Sequence, residues 1–156
     1  MATVKRARRL LDLSFDKAYI AFINGDTDLA RRLLLASCNH YTRERNESRD
    51  VLRLFWSLAW FAFDERRYAE AHKFFDRIRH MEEANPERSA KNLSHLRYLL
   101  AVTCESQEKY EEAEVHYQAS LYLLKSIPAA SVQTRLMINS CRDRNLRKIK
   151  VVEAAA

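Results

Sequence analysis

Few residues in this chain have the types and spacing of a reaction centre. His72, Asp76 and His80 are four apart, which on a helix lines two imidazoles and a carboxylate along one face, a donor set suited to a divalent metal. The same spacing describes a solvated outer face, and no metal is assigned to it. Glu112 and His116 form an ordinary pair one helical turn apart. Cys38 and His40 lie two apart at a helix end, so their side chains point different ways and the thiol gains no base. Cys38 therefore reads as a structural cysteine. There is no His-Glu-x-x-His, and Gly25, the single glycine, builds neither a phosphate-cradling loop nor a nucleophile elbow. We assign no catalytic residue, no metal and no cofactor, and the expectation is a protein that is not an enzyme.

The chemistry-bearing surplus is aromatic. The run Phe55-Trp56-Ser57-Leu58-Ala59-Trp60-Phe61-Ala62-Phe63 is apolar nearly all the way around a helix, which implies contacts on every side. Phe55, Leu58, Ala59 and Ala62 form one stripe; Trp56, Trp60 and Phe63, at spacings of four and three, form another.

Composition decides what positions these residues. Hydrophobic residues make up 47% and charged residues 31% of 156 residues, the balance of a globular chain long enough for one core. One glycine and two prolines cannot supply the turns of a sandwich or barrel, needed roughly every 8–12 residues, nor the glycine-rich loops of a nucleotide-binding α/β fold. Helices joined by short turns remain. Cys38, Cys104 and Cys141 are an odd, widely spaced set that suits a reducing compartment. No apolar stretch is long enough to span a membrane, and Asp12 and Asp16 interrupt the basic N-terminus where a signal core would lie. A cytoplasmic location is expected.

Apolar positions recur at three and four, with no sustained alternation. Breakers then divide the chain into seven helices: about Val4 to Ile23, Asp28 to His40, Asp50 to Phe63, Tyr68 to Met81, Ser89 to Cys104, Glu111 to Ser126 and Ser131 to Lys150. Arg43 to Ser48 reads as a loop, Asn85-Pro86 ends the fourth helix, and Pro128 follows the sixth. Such short connections make neighbours antiparallel. The helices also come as similar pairs. Ala30, Ala71 and Ala113 are 41 and 42 residues apart, and four residues beyond each stands a large side chain, Leu34, Phe75 or Tyr117. A fixed period of paired helices is the mark of an α-solenoid: one all-α domain over residues 1–156, with repeats about 4–40, 50–83 and 89–126 and a capping helix about 131–150. Leu136, Met137, Ile138 and Ile149 would cover the last pair while the arginines of that helix face water.

On these residues the chain resembles the tetratricopeptide repeat superfamily, in a longer-period form. The middle repeat carries Phe55, Leu58, Ala59, Tyr68, Ala71, Phe75 and a late Pro86; the third carries Leu100, Ala101, Tyr110, Ala113, Tyr117, Ser120 and Pro128. The first offers Ala18, Gly25, Ala30, Leu34 and Ser37, with Lys17 where leucine is expected. Arg66 and Glu108 replace the turn glycine, and Ile78 a small residue. The resemblance spans roughly residues 10–128. It implies a concave groove lined by the first helix of each repeat: Phe15, Tyr19 and Phe22; Arg53, Trp56, Trp60 and Phe63; His95, Tyr98 and Val102. It also implies a protein or peptide partner there, as for an adaptor, chaperone or assembly subunit. The clamp that holds chaperone C-termini needs lysine and asparagine where Phe15, Tyr19, Trp56, Trp60 and Leu99 stand, so that specialisation is set aside. Two other fates of the stripe stay open: cover by neighbouring helices or termini, and a homodimer interface.

Charge supplies the rival reading. The net charge is +6, with Lys5, Arg6, Arg8 and Arg9 at the start and Arg135, Arg142, Arg144, Arg147, Lys148 and Lys150 at the end. Between them lies an acidic run, Glu105, Glu108, Glu111, Glu112 and Glu114. The basic C-terminal face could contact nucleic acid; the plainer reading, and the favoured one, is that these residues solvate exposed helix faces. If Ala71 marks a close helix crossing, a large residue there overpacks it. We expect Ala71→Leu to cost about 1–3 kcal/mol in chemical denaturation.

Overall fold

Gly25, Arg66 and Glu108 decide where the helix pairs turn. All three have positive φ, 82°, 58° and 61°, and each closes its helix in the same way. The amide after each reaches back five residues: Asp26 to the Ala21 carbonyl, Arg67 to Ala62, Lys109 to Cys104, at 2.8–3.0 Å. The amide of each turn residue bonds three residues back, to Phe22, Phe63 and Glu105. This paired closure is the Schellman motif, whose turn residue favours glycine because a Cβ is strained in the left-handed region. Two of the three places are filled by arginine and glutamate.

The structure, a computed structural model, describes residues 14, 16–43, 49–127 and 132–155. Helix α1 is described over 16–23. It is followed by α2 Thr27–Arg43, α3 Arg49–Asp64, α4 Tyr68–Ala84, α5 Ala90–Glu105, α6 Tyr110–Lys125 and α7 Val132–Ala155. Among the described residues there is no strand. The chain is an all-α solenoid of antiparallel helix pairs. The start of the expected first helix, the loop around residues 44–48 and Pro128 lie outside the described residues. Elsewhere boundaries fall within a few residues of expectation. Helix α7 runs on to Ala155 because Val151 to Ala155 contains no breaker.

Local chemistry explains the starts. Asp26 Oδ1 accepts the Leu29 amide at 2.9 Å and caps α2, and Ser89 Oγ accepts from Asn92 at the head of α5. Asn85 is extended before Pro86, as that proline requires. The substantial contacts run between consecutive helices from α2 to α7, the nearest-neighbour stacking of a repeat protein. Ala30, Ala71 and Ala113 are completely buried, as are Phe75 and Tyr117, with Leu34 essentially so. At the second helix of each pair a methyl group permits close approach and the large residue one turn on fills the groove beside it. Phe55, Leu58, Ala59 and Ala62 are buried on α3. Between α5 and α6 the small buried residues are serines: Ser94 Oγ donates to the Ser120 carbonyl at 3.0 Å, and Ser120 Oγ to the Ser94 carbonyl at 2.8 Å.

The capping helix departs from expectation. Ile138 is buried and Ile149 half-buried, but Leu136 and Met137 are 63% and 46% exposed. The covered stripe is Ile138, Cys141, Asn145 and Lys148, spaced three, four and three, and Leu136 and Met137 project away from it. Its buried centre is polar, with Asn145 Nδ2 donating to the Tyr110 carbonyl at 2.8 Å.

An added Cβ at Gly25 meets nothing within 4 Å, so only backbone strain opposes it. Gly25→Ala should destabilise by about 1–2 kcal/mol, and Glu108→Gly should stabilise by about 1 kcal/mol. Urea midpoints check both; equal midpoints for all three chains would contradict the turn geometry.

Candidate functional site

Helices α1, α3 and α5, the first members of the pairs, present the aromatic residues that the sequence brings forward. Phe22 of α1 meets the ring of Phe61 on α3, edge to face, at 4.9 Å. On α3, Trp60 packs edge-on to Phe63 at 5.7 Å, and both lie against Phe75 of α4. Trp56 also rests on Phe75, at 5.8 Å, and stacks on His95 of α5 at 6.3 Å. His95 in turn stacks on Tyr98, which reaches Tyr117 of α6. A row of rings thus runs without interruption from Phe63 to Tyr117.

None of the nine described groove residues is fully buried. Tyr19, Phe22 and Trp60 are 65%, 43% and 39% exposed, Arg53 and His95 are exposed, and Trp56, Phe63, Tyr98 and Val102 are half-buried. Phe15 lies outside the described residues. The α1 edge also exposes Ile20 and Ile23. Phe61, absent from the expected set, joins α1 to α3 through its contact with Phe22. Its position in the middle of a uniformly apolar run hid which way it faces.

The basic C-terminal residues split into two groups. Glu105, at the end of α5 and only 7% exposed, accepts from the Tyr117 hydroxyl at 2.7 Å, from Arg144 Nε at 3.0 Å and from Lys148 Nζ at 3.0 Å. Burial alone would raise its carboxyl; the Arg144, Tyr117 and Lys148 hydrogen bonds outweigh that and bring it down to about 2. Arg142 Nε bonds Glu114 of α6 at 2.6 Å. Arg142, Arg144 and Lys148 therefore fasten α7 to α5 and α6, where the sequence placed its arginines facing water. Arg147 and Lys150 make no ion pair among the described residues. Glu105 and Glu114 of the acidic run thus pair with the basic helix, a pairing that no spacing within either segment announces.

The His72, Asp76, His80 trio does not converge. His80 is exposed beside Asp76, which Arg79 engages at 2.7 Å. His72 turns to α5 instead, and with Cys104 and His116 it forms the one group of described residues with the donors for a metal ion. Cys38 is a buried thiol pushed up to about 12 by burial, and the side chain of His40 lies outside the described residues.

Compared with known proteins, the chain matches no family model and no curated protein. Among the described residues no helix is long and apolar enough to cross a membrane.

The Glu105 cluster carries a pH signature. Its carboxyl sits lower in the folded chain, about 2, than its ordinary 4.5, so its stabilisation is complete above pH 4.5 and is lost as the pH falls toward 2. Glu105→Gln should cost about 1–3 kcal/mol near neutrality and flatten the acid limb of the stability curve. An acid limb identical to that of the parent chain would contradict the assignment.

Proposed function

We propose that this chain is a tetratricopeptide-like, non-enzymatic interaction module of the cytoplasm, acting as an adaptor or chaperone that holds an apolar helix or extended segment of a partner protein. The observation that carries the reading is the exposure of aromatic side chains on successive first helices: Tyr19 and Phe22 on α1, then Trp60 on α3 beside half-buried Trp56 and Phe63. Exposed aromatic side chains on adjacent helices are the kind of surface that interaction sites present. Trp and Tyr are also the side chains that contribute most when a partner excludes water.

The geometry favours different roles for the residues. Trp56, wedged between Phe75 and His95, forms the floor of the site and orients the ring row. Trp60, Tyr19 and Phe22 reach outward and act as anchors, while Arg53 and His95 stand exposed beside them and supply polar contacts at the rim. The C-terminal basic residues contribute to the fold through Glu105 and Glu114, which leaves a smaller cationic surface for nucleic acid than the charge count alone suggests.

A partner segment identified by pull-down from the native host and confirmed by titration should bind the full chain and perturb its tryptophan fluorescence. Trp60→Ala should weaken that binding about thirtyfold, the hot-spot scale of about 2 kcal/mol, with the melting transition retained. Arg147→Ala should leave it unchanged. Equal affinities for the Trp60→Ala and parent chains would overturn the proposal.

A further inference from the structure

Three helices bring soft and borderline metal donors to one point. His72 of α4, Cys104 of α5 and His116 of α6 each offer a ligand atom, and these atoms all lie within 4.8 Å of one another. Cys104 Sγ is 3.5 Å from His72 Nδ1 and 3.9 Å from Glu112 Oε2. Glu112 and His116 stand one turn apart on α6, so both face the same neighbour.

We propose that His72, Cys104 and His116, with Glu112 closing the fourth position, form a binding site for a zinc-like divalent cation. Bonds of about 2.3 Å to sulfur and about 2.0 Å to imidazole nitrogen make the S···N edge of a tetrahedron about 3.5 Å long, which is the separation of Cys104 Sγ and His72 Nδ1. One thiolate, two imidazoles and one carboxylate favour zinc over magnesium or calcium, which take oxygen ligands. The thiolate and the carboxylate neutralise the two charges of the ion. Glu112 is exposed and the two rings are half-buried, so the cluster is within reach of solvent.

The surroundings fit this use. His72 Nδ1 meets the Thr103 hydroxyl at 3.1 Å, a contact that a bound ion would replace, and burial disfavours the charged form of both rings. Burial also keeps Cys104 a thiol in the metal-free chain. On binding, the S–H bond breaks, a sulfur–metal bond forms and the proton leaves to solvent. Arg97 Nη1 touches His116 Nδ1 at 3.4 Å but is anchored on Glu83 at 3.1 Å, so it retains a partner when the ring turns to metal. A cysteine–histidine nucleophile is the competing use of this pair, and the complete burial of Cys104 closes it to substrate. A bound ion would tie the second helix pair to the third.

Cobalt(II) added to the reduced, chelator-stripped full chain tests the site. One cobalt per chain should bind, with a thiolate-to-metal charge-transfer band and the visible bands of tetrahedral coordination, and zinc should displace it. Cys38→Ser/Cys141→Ser should retain the spectrum, Cys104→Ser should lose the charge-transfer band, and His116→Asn should weaken binding more than about tenfold. X-ray absorption of the zinc-loaded parent chain, which needs no variant to fold, should find one sulfur and two imidazoles around the metal. A spectrum that survives Cys104→Ser, a shell of nitrogen and oxygen alone, or no binding at excess cobalt would overturn the proposal.

Discussion

The close crossings at Ala30, Ala71 and Ala113 are the constraint on which the rest depends. Each alanine is fully buried, and the large residue one turn later on the same helix is buried with it. A second helix that contributes one methyl and one bulky group at the crossing is drawn hard against its partner and fills the interior. The first helices then have more aromatic side chains than the interior can take. Phe75 links the two outcomes: it is completely buried, and its outer surface is the platform on which Trp56, Trp60 and Phe63 rest. Core packing and the aromatic face are therefore one structure seen from two sides.

The C-terminal end is held by different physics. Where the middle of the chain uses apolar contact, α7 is fastened by Glu105, Glu114 and the buried amide of Asn145. Glu105 is the strongest of these ties because burial raises the cost of leaving it unpaired, and three donors converge on it. Charge pairing thus fastens α7, while Leu136 and Met137 stay exposed on it. The pairing also explains why a chain of net charge +6 concentrates acid and base in adjacent segments.

What the sequence made legible follows from this contrast. The alanine–aromatic spacing repeats along one helix face, so Ala71 with Phe75 and Ala113 with Tyr117 could be read directly, and with them the helix pairs and their period. The turns were legible in place but not in conformation, because arginine and glutamate at 66 and 108 give no sign of positive φ. On α7 apolarity points to Leu136 and Met137, whereas the covered stripe passes through Cys141 and Asn145. Trp56, Trp60 and Phe63 stand apart as a second stripe by their spacing, with Phe55, Leu58, Ala59 and Ala62 matching the core positions that the resemblance implies. The meeting of His72, Cys104 and His116 was beyond reach for a simpler reason: the three stand on three helices, and only the packing register between those helices brings them together.

The claim that the crossing alanines leave an open aromatic face is tested most directly by acrylamide quenching of the chain with Trp56 replaced by phenylalanine, in which Trp60 is the remaining indole. Efficient quenching and solvent-exposed emission, both little changed by dilution, are the expected result. A blue-shifted emission that acrylamide hardly reaches would mean that Trp60 is sealed within the folded chain, and would contradict it.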